Sequence, residues 1–342
     1  MSDRTRSGGA FVQTNEPRNR VIAFARAEDG RLGEAGAYET RGAGDGEPHL
    51  TSQGSVTLTG NGQHLLVTNA ASDDVSVFAV TGDGALDLVG RAPTGSAPKS
   101  VAEYDGLVYV LSTGTPAMTG FRLGEGGLEP IVGAEQPLAP NADPAQVGFT
   151  PDGSALIVTE RGTSSISVLS VDDDGRAGAP LSIPSSGPTP YGFAFTNGGT
   201  LVVTEAFGAE RGAAAASSYV VDGPQLTPAT RSAGNGRSEI CWAVVTPDDR
   251  FAFTTNFADG AVSRWAIGAD GGLTLDDATA GLTVDGRRGL RDEALSDDGR
   301  YLYALDTDSG SVFGWALGQD GSLTPLGSWG GLPATVAGLA AR

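Results

Sequence analysis

The chain has 342 residues, with 41 Asp and Glu against 22 Lys and Arg, and a formal charge of −19. This length allows one large domain or two ordinary ones, with a core that needs no disulfides or metals. The negative charge excludes a nucleic-acid binder, because phosphate binding requires clustered cations, and it disfavours binding to anionic membranes. Glycine supplies 52 residues without a collagen-like period, which favours tight turns over long helices.

Cysteine and histidine are too scarce for common metal sites. The single cysteine, Cys241, excludes intrachain disulfides and cysteine-based zinc sites, and two histidines disfavour a multi-histidine centre. We therefore expect no metal and no cofactor. Residues 1–10 lack the apolar stretch of a signal peptide, and no later run is long enough to span a membrane. We expect a cytoplasmic protein in which residues 1–9 form a flexible N-terminus.

A repeat of about fifty residues runs along the chain. Each copy has a short apolar strand, a turn rich in Asp, Asn and Gly, a second strand that ends in a polar residue, and a third, alternating strand. The clearest copies span 149–169, 245–265 and 295–315. Asp-Gly and Asn-Gly turns between alternating strands are a strong hairpin signal.

The ends of the second strands mark seven copies of this repeat: Asn15, Asn69, Thr113, Glu160, Glu205, Asn256 and Asp306. Seven units of four antiparallel strands predict an all-β, seven-bladed β-propeller that occupies residues 1–342 as one domain. The first copy lacks its innermost strand, whereas residues 334–341 are left over. We predict that this C-terminal segment completes the first blade and closes the ring, which removes the open sheet edges.

The repeats resemble those of the seven-bladed propeller lactonases, a family typified by 6-phosphogluconolactonase and carboxymuconate cyclase. The similarity lies in Asp- and Gly-containing turns that precede a strand ending in Asn, Glu or Asp, as in Thr150–Glu160, Thr246–Asn256 and Ser296–Asp306. It covers essentially the whole chain. The resemblance implies an enzyme that acts on a small molecule, without a cofactor, at one mouth of the central channel.

The family's proposed catalytic groups are a His and an Arg at the starts of innermost strands, a Glu at the end of a second strand, and a further Arg. In this sequence Ala145 stands in place of the His and Tyr191 in place of the first Arg. The resemblance assigns the Glu to Glu205 and the further Arg to Arg291. The change at Tyr191 argues against a sugar-phosphate substrate and favours a more apolar one, such as a secondary metabolite.

Hairpin geometry selects the same mouth independently. The first strand of each blade runs into its turn and the second runs back, so the start of one and the end of the other share a face. Functional residues generally lie on such loops, held by a rigid scaffold. The polar and aromatic residues on this face are Asn15, His49, Gln53, Asn69, Lys99, Asp143, Gln146, Glu160, Tyr191, Glu205, Glu239, Trp242, Asn256, Arg291, Asp292 and Asp306.

Three of these residues are the candidate catalytic groups. Glu205 lies in an apolar run, which would raise its pKa and suit a general acid or base. His49 carries protons near neutral pH, and Arg291 can clamp a carboxylate or enolate. The alternatives are a carboxylate that binds backbone amides, a loop histidine without a role, and a surface ion pair between Arg291 and its acidic neighbours.

The candidate substrate-binding residues are Lys99, Gln146, Glu160, Tyr191, Trp242 and Asn256. Lys99, the single lysine, could orient an anion, and the two aromatic residues could form a wall for an apolar substrate. A solvated lysine and inter-blade aromatic packing are the alternatives. We expect Cys241 to be a buried, inert thiol, and the Asp-rich turns to serve the hairpins instead of calcium.

These features together favour an enzyme of the lactonase and cyclase type. It would open, close or isomerise a ring in an organic acid, lactone or secondary metabolite by acid–base and electrostatic catalysis. The alternative is a non-catalytic propeller that binds a small ligand or a protein partner through the same face, since propellers host many functions. We expect a small-molecule substrate and neither nucleic acid nor membrane as partner; the oligomeric state stays open.

Overall fold

The computed structural model describes residues 8–48, 50, 53–81, 84–283 and 286–342. Within these ranges the chain forms 29 β-strands and one three-residue 3-10 helix, Phe207–Ala209. The strands make seven antiparallel sheets, which confirms the predicted all-β, seven-bladed propeller. No helix in the described ranges is long and apolar enough to cross a membrane.

The first blade joins the two ends of the chain. Its strands, from the innermost outwards, are β29 (Ala337–Ala341), β1 (Gly9–Gln13), β2 (Arg20–Arg26) and β3 (Leu32–Glu39). Strand β29 pairs antiparallel with β1, with Phe11 opposite Ala340. The prediction that the C-terminal segment completes this blade is confirmed.

The next three blades follow in chain order. Their strands are β4 (Val56–Leu58), β5 (His64–Asn69), β6 (Asp74–Val80) and β7 (Leu86–Pro93); β8 (Pro98–Tyr104), β9 (Leu107–Ser112), β10 (Ala117–Gly124), β11 (Gly127–Pro130) and β12 (Gln136–Pro137); and β13 (Pro144–Phe149), β14 (Ala155–Glu160), β15 (Ser165–Ser170) and β16 (Leu181–Pro184). The short β12 pairs with β10 beside β11, so the third blade has five strands.

The last three blades have four strands each. They are β17 (Pro190–Phe195), β18 (Thr200–Glu205), β19 (Ala215–Asp222) and β20 (Gln225–Gly234); β21 (Ile240–Val245), β22 (Phe251–Asn256), β23 (Ala261–Ile267) and β24 (Leu273–Leu282); and β25 (Leu290–Leu295), β26 (Tyr301–Asp306), β27 (Ser311–Leu317) and β28 (Leu323–Trp329). Five of the seven predicted second-strand ends are correct, while β1 ends two residues before Asn15 and β9 one residue before Thr113.

Recurrent turns define the two faces of the ring. In the fourth blade the Thr150 hydroxyl donates to the Asp152 carboxylate at 2.7 Å, and Gly153 adopts a φ of 70°, which a residue without a Cβ tolerates. The same contact recurs between Ser296 and Asp298 at 2.6 Å. We call the side that carries these turns the turn face, and the opposite side, where the innermost strands begin, the mouth face.

The hydrophobic core lies between neighbouring blades. One cluster combines Ile157 and Ile166 of the fourth blade with Phe193, Leu201 and Tyr219 of the fifth. Burying such side chains stabilises the fold by about 2 kcal/mol each. Since each blade packs on its neighbours in this way, the innermost strands are held rigidly around the central channel.

Candidate functional site

Several polar residues at the ends of second strands bind a serine of the third strand. Asn69 donates to the Ser76 hydroxyl at 2.8 Å, and Asn256 donates to the Ser263 hydroxyl at 2.9 Å. We call this contact a strand clasp, because one buried side chain ties the second strand to the third. In Asn256 the amide oxygen is also used, since it accepts a hydrogen bond from Asn235 at 2.8 Å.

Glu160 forms the corresponding clasp with a carboxylate. It accepts hydrogen bonds from the Ser167 hydroxyl at 2.6 Å and the Thr163 hydroxyl at 2.8 Å, and it is 2% exposed. Its carboxylate therefore lies inside the fourth blade. The substrate-binding roles predicted for Glu160 and Asn256 stay predictions, and both side chains have structural partners.

Glu205 is fully buried and lies in a similar contact. One of its oxygens, Oε1, accepts hydrogen bonds from the Ser217 hydroxyl at 2.6 Å, the Gly187 amide at 2.8 Å and the Ser185 hydroxyl at 3.3 Å. Three donors converge on this oxygen, where the sequence predicted apolar surroundings. The structure therefore shows the contacts of the backbone-binding alternative, while the catalytic role stays a prediction.

Arg291 lies at the mouth of the channel on two aromatic rings. Its guanidinium carbon is 4.3 Å from the centroid of the Phe257 ring and 5.5 Å from that of the Trp242 ring. The side chain is 7% exposed, and one terminal nitrogen donates to the Leu50 carbonyl at a long 3.4 Å. The Nε group has no hydrogen-bond partner among the described residues. This buried cation thus retains an unused donor.

An apolar cluster surrounds Arg291, and we call it the mouth cluster: Ala145, Tyr191, Ala206, Cys241, Trp242 and Phe257. The rings of Tyr191 and Trp242 meet edge to face with centroids 5.4 Å apart. Burial raises the pKa of the Cys241 thiol to about 12 and also raises the pKa of the Tyr191 hydroxyl. The predicted burial of Cys241 is confirmed, and both groups are protonated at neutral pH.

Two buried carboxyl groups follow Arg291 in β25. Asp292 is 2% exposed and accepts a hydrogen bond from the Gly338 amide at 3.1 Å, while burial raises its pKa to about 7. Glu293 is 4% exposed, and burial raises its pKa well above the usual value although the Thr255 backbone lowers it. Neither Glu293 oxygen forms a hydrogen bond of full geometry among the described residues. From the sequence we listed Asp292 on the mouth face and treated both acids only as surface ion-pair partners of Arg291, without a catalytic or binding role. Two consecutive acids inside an innermost strand were the signal that could have found them.

Two glutamine side chains bridge innermost strands. Gln53 donates to the Ala243 carbonyl at 3.1 Å and accepts from the Ala243 amide at 3.3 Å. Gln146 forms the same pair of bonds with Phe193, at 3.1 and 2.7 Å. Both amide groups therefore satisfy backbone groups at the centre of the ring. Substrate binding by Gln146 stays a prediction.

Lys99 and His49 are the two remaining predicted site residues. Lys99 is half-buried and is the second residue of β8, as Arg291 is of β25. His49 lies outside the described residues. The structure brings Arg291, Tyr191 and Trp242 together, and it places Glu205, Glu160 and Asn256 in strand contacts. Among the described residues no group of three or more His, Cys, Asp and Glu side chains could hold a metal ion.

This arrangement combines a cation, a proton carrier and an apolar wall. Arg291 can bind a carboxylate or a developing oxyanion, and aromatic contacts on both of its sides keep it in place. Asp292, whose pKa lies near neutrality, can take up or release a proton. The mouth cluster shields Arg291 from water, and Asp292 is itself 2% exposed.

Comparisons with known proteins agree with this architecture. The chain resembles a Bacteroides fragilis protein provisionally named a 6-phosphogluconolactonase, with 17% identity over 100% of this chain and 99% of that one and a TM-score of 0.76. The periplasmic gluconolactonase PpgL of Pseudomonas aeruginosa has 18% identity over 96% and 98% of the two chains, with a TM-score of 0.73. These likenesses show a shared fold. No curated protein sequence matches this chain.

The sequence itself also matches a family profile. The profile described as "Lactonase, 7-bladed beta-propeller" matches residues 6–123 and 103–207, which together are more than half of the chain. The matched segments include strands β1 to β18, the last of which ends in Glu205. This protein therefore belongs to the seven-bladed β-propeller lactonase family.

Proposed function

We propose that this protein is a lactonase-type enzyme that opens, or in reverse closes, the ring of a small lactone at the mouth face. The observation that supports this most directly is Arg291, a buried guanidinium with an unused Nε donor in a chain of charge −19. Membership of the lactonase family supports the substrate class. The name gluconolactonase, given to one protein of the same fold, supports it as well.

Arg291 would bind the group that becomes negative during the reaction. Its long contact of 3.4 Å with the Leu50 carbonyl is weak, so a substrate oxygen can replace it with a charge-assisted hydrogen bond. Attack of water on the lactone carbonyl produces an oxyanion and then a carboxylate. A guanidinium that is fixed by Phe257 and Trp242 stabilises both without reorganising.

Asp292 directly follows Arg291 in β25 and is the carboxyl group whose pKa best suits proton transfer. As a base it takes a proton from the attacking water while the water oxygen bonds to the carbonyl carbon. It returns that proton to the ring oxygen when the acyl C–O bond breaks, so the product has one hydroxyl and one carboxylic acid. The acid then releases its remaining proton to solvent and becomes the carboxylate. Its pKa of about 7 matches this task near neutral pH. Glu205 and His49 stay candidates for the same step.

The mouth cluster favours an uncharged, partly apolar lactone over a phosphorylated one. Tyr191 packs on Trp242, and the guanidinium of Arg161 that lies 5.1 Å from the Tyr191 ring centroid is already paired with Asp143 at 2.6 Å. A second unpaired cation for a phosphate is not evident around Tyr191 in the part of the chain that the structure describes. Isomerisation or ring closure of a secondary metabolite would use the same groups.

Proton release from a panel of lactones tests the proposal. The panel contains glucono-δ-lactone, its 6-phosphate and an uncharged alkyl γ-lactone, each measured at pH 7.5 against its spontaneous hydrolysis. We expect turnover of at least one unphosphorylated lactone, with the phosphate the poorer substrate. Arg291→Ala should lower kcat/KM by about 100-fold or more. Arg300→Ala is the matched control, because Arg300 stacks on Tyr301 at the turn face.

The variants Asp292→Asn and Glu205→Gln identify the proton carrier. We expect Asp292→Asn to abolish most of kcat and Glu205→Gln to retain it, provided both variants melt cooperatively. Equal activity of wild type and Arg291→Ala would overturn the proposal. Lactone binding by calorimetry without turnover would replace it with the alternative of a non-catalytic binding propeller.

A further inference from the structure

A cavity of about 600 Å³ occupies the central channel on its turn-face side. Turn residues such as Thr59 and Thr150 lie in its wall, as do Asp292 and Glu293 of β25. Gln53, whose side chain is hydrogen-bonded to the Ala243 backbone, also lies in this wall. Arg291 and the six residues of the mouth cluster are absent from its wall, so Asp292 is the one residue of the proposed lactone chemistry that the cavity shares.

The described wall of this cavity is acidic. It carries four carboxyl side chains and no Lys, Arg or His: Glu103, Asp292, Glu293 and Asp297. Arg26 and Arg342 act on Asp297 from outside the cavity, and the Glu103 carboxylate already accepts hydrogen bonds from the Gly60 and Gly106 amides. Asp292 and Glu293 are therefore the two acids left for a ligand, and a cation beside them favours their ionised forms. Walls of low dielectric concentrate such a field and attract cations into the channel.

Glu293 is the residue that packing does not explain. It stands three residues before the turn residue Ser296, and the corresponding residues of other blades are all apolar: Val56, Val147, Phe193 and Ala243. An isolated buried carboxyl costs several kcal/mol relative to such a residue. The Thr255 backbone compensates for this cost in part, but neither Glu293 oxygen forms a hydrogen bond of full geometry among the described residues. A bound cation or hydrogen-bond donor in the cavity would compensate for this cost.

The rim of the cavity offers aromatic surface to the same kind of ligand. Tyr104 and Phe149 both lie in its wall, with ring centroids 5.9 Å apart, and Tyr104 is 38% exposed. Aromatic faces attract organic cations by about 0.5–2 kcal/mol. The wall also contains aliphatic residues such as Leu58 and Val244, which suit methylene groups better than a hydrated metal ion.

We propose that this channel cavity is a binding site for a small aliphatic amine, with one ammonium group against Glu293 and Asp292 and another at the aromatic rim. The volume lies within the range of small-molecule sites. A diamine or polyamine matches the two ends of the cavity, which are acidic at depth and aromatic at the rim. Divalent cations are the alternative ligands, and the experiment must distinguish them from amines.

Isothermal titration calorimetry with putrescine and spermidine tests the proposal, with 1,4-butanediol as the uncharged analogue. We expect both amines to bind the wild type, the diol not to bind, and Glu293→Gln to weaken amine binding by at least tenfold. Glu125→Gln is the matched control, because Glu125 is exposed in a hairpin turn of the turn face, outside the cavity. It should bind as the wild type does.

Glu293→Val separates loss of the ligand site from loss of the fold. Val occupies the same position in two other blades, so this variant should melt at or above the wild-type temperature and still fail to bind amines. Absence of amine binding to the wild type, or undiminished binding to both Glu293 variants, would overturn the proposal. Calcium or magnesium binding that shows the same loss, without amine binding, would overturn the ligand class.

Discussion

Gln53 and Ala243 are hydrogen-bonded across the centre of the ring, although 190 residues separate them in the chain. Gln53 precedes the innermost strand of the second blade, and Ala243 lies in that of the sixth. The glutamine amide satisfies both backbone groups of Ala243, at 3.1 and 3.3 Å. One side chain therefore couples two blades that share no strand pairing.

We expect Gln53→Ala to lower the free energy of unfolding by about 1–3 kcal/mol, because it leaves the Ala243 amide and carbonyl without partners. Urea denaturation measures this change. Gln63→Ala, at an exposed position of the turn face, is the control and should change stability by less than about 0.5 kcal/mol. Equal midpoints for the two variants would show that the bridge contributes nothing to stability.

Asp292 should make the protein less stable as the pH rises from about 4 to about 7. Its pKa is about 7 in the folded state against an ordinary value of 3.8, so the unfolded chain loses this proton first and binds fewer protons over that interval. This shift lowers the free energy of unfolding by about 4 kcal/mol between these pH values, and the loss does not increase further above pH 7. Melting temperatures of wild type and Asp292→Asn across this range measure it.

The two melting curves should converge at pH 4 and separate as the pH rises, with the asparagine variant the more stable one above pH 7. The charge of Asp292 also raises the pKa of Glu293, so the difference between the curves reports Asp292 together with its effect on Glu293. Parallel curves would contradict a protonated Asp292 in the folded state.

The strand clasp of the fourth blade should contribute measurably to stability. Ser167→Ala removes the 2.6 Å hydrogen bond to a buried Glu160 oxygen, and we expect a loss of about 1–3 kcal/mol. Ser170→Ala, at an exposed position of the same strand, should cost less than about 0.5 kcal/mol. Chemical denaturation of both variants checks this, and a Ser167→Ala variant as stable as the control would exclude the clasp as a stabilising contact.

Removal of residues 337–342 should open the ring. Strand β1, in which all five residues are buried, would then become an unpaired edge. We expect loss of cooperative thermal unfolding and growth of aggregates, measured by calorimetry and light scattering. A synthetic peptide of residues 334–342, added during refolding, should restore the melting transition; a truncated protein that melts like the wild type would contradict the closure.

The architecture was predictable because it repeats. Each copy carries the same turn, and a copy without an inner strand together with the unpaired segment 334–341 left one consistent closure. The side chains at the mouth were harder to predict. The register of β25 shifts between Leu290 and Glu293, so alternation does not tell which of Arg291, Asp292 and Glu293 faces the mouth, a neighbouring blade or the channel.

The surroundings of Glu205 were also difficult to predict from the sequence. Its apolar sequence neighbours suggested a pocket, but its partners Gly187 and Ser217 come from a preceding loop and a strand on the far side of the turn at Phe207–Ala209. Such contacts depend on tertiary structure. No local pattern encodes them, and the long-range pair of Gln53 and Ala243 was unpredictable for the same reason.

The joined ends of the chain also make the starting point of the polypeptide structurally arbitrary. The Gly9 amide donates to the Arg342 carbonyl at 3.2 Å, and the Arg342 amide donates to the Gly9 carbonyl at 2.9 Å. A short peptide link could therefore connect these two residues, while a new opening is made in any exposed loop between blades. All seven blades would then consist of consecutive strands, and a gene rearranged in this way would encode the same ring.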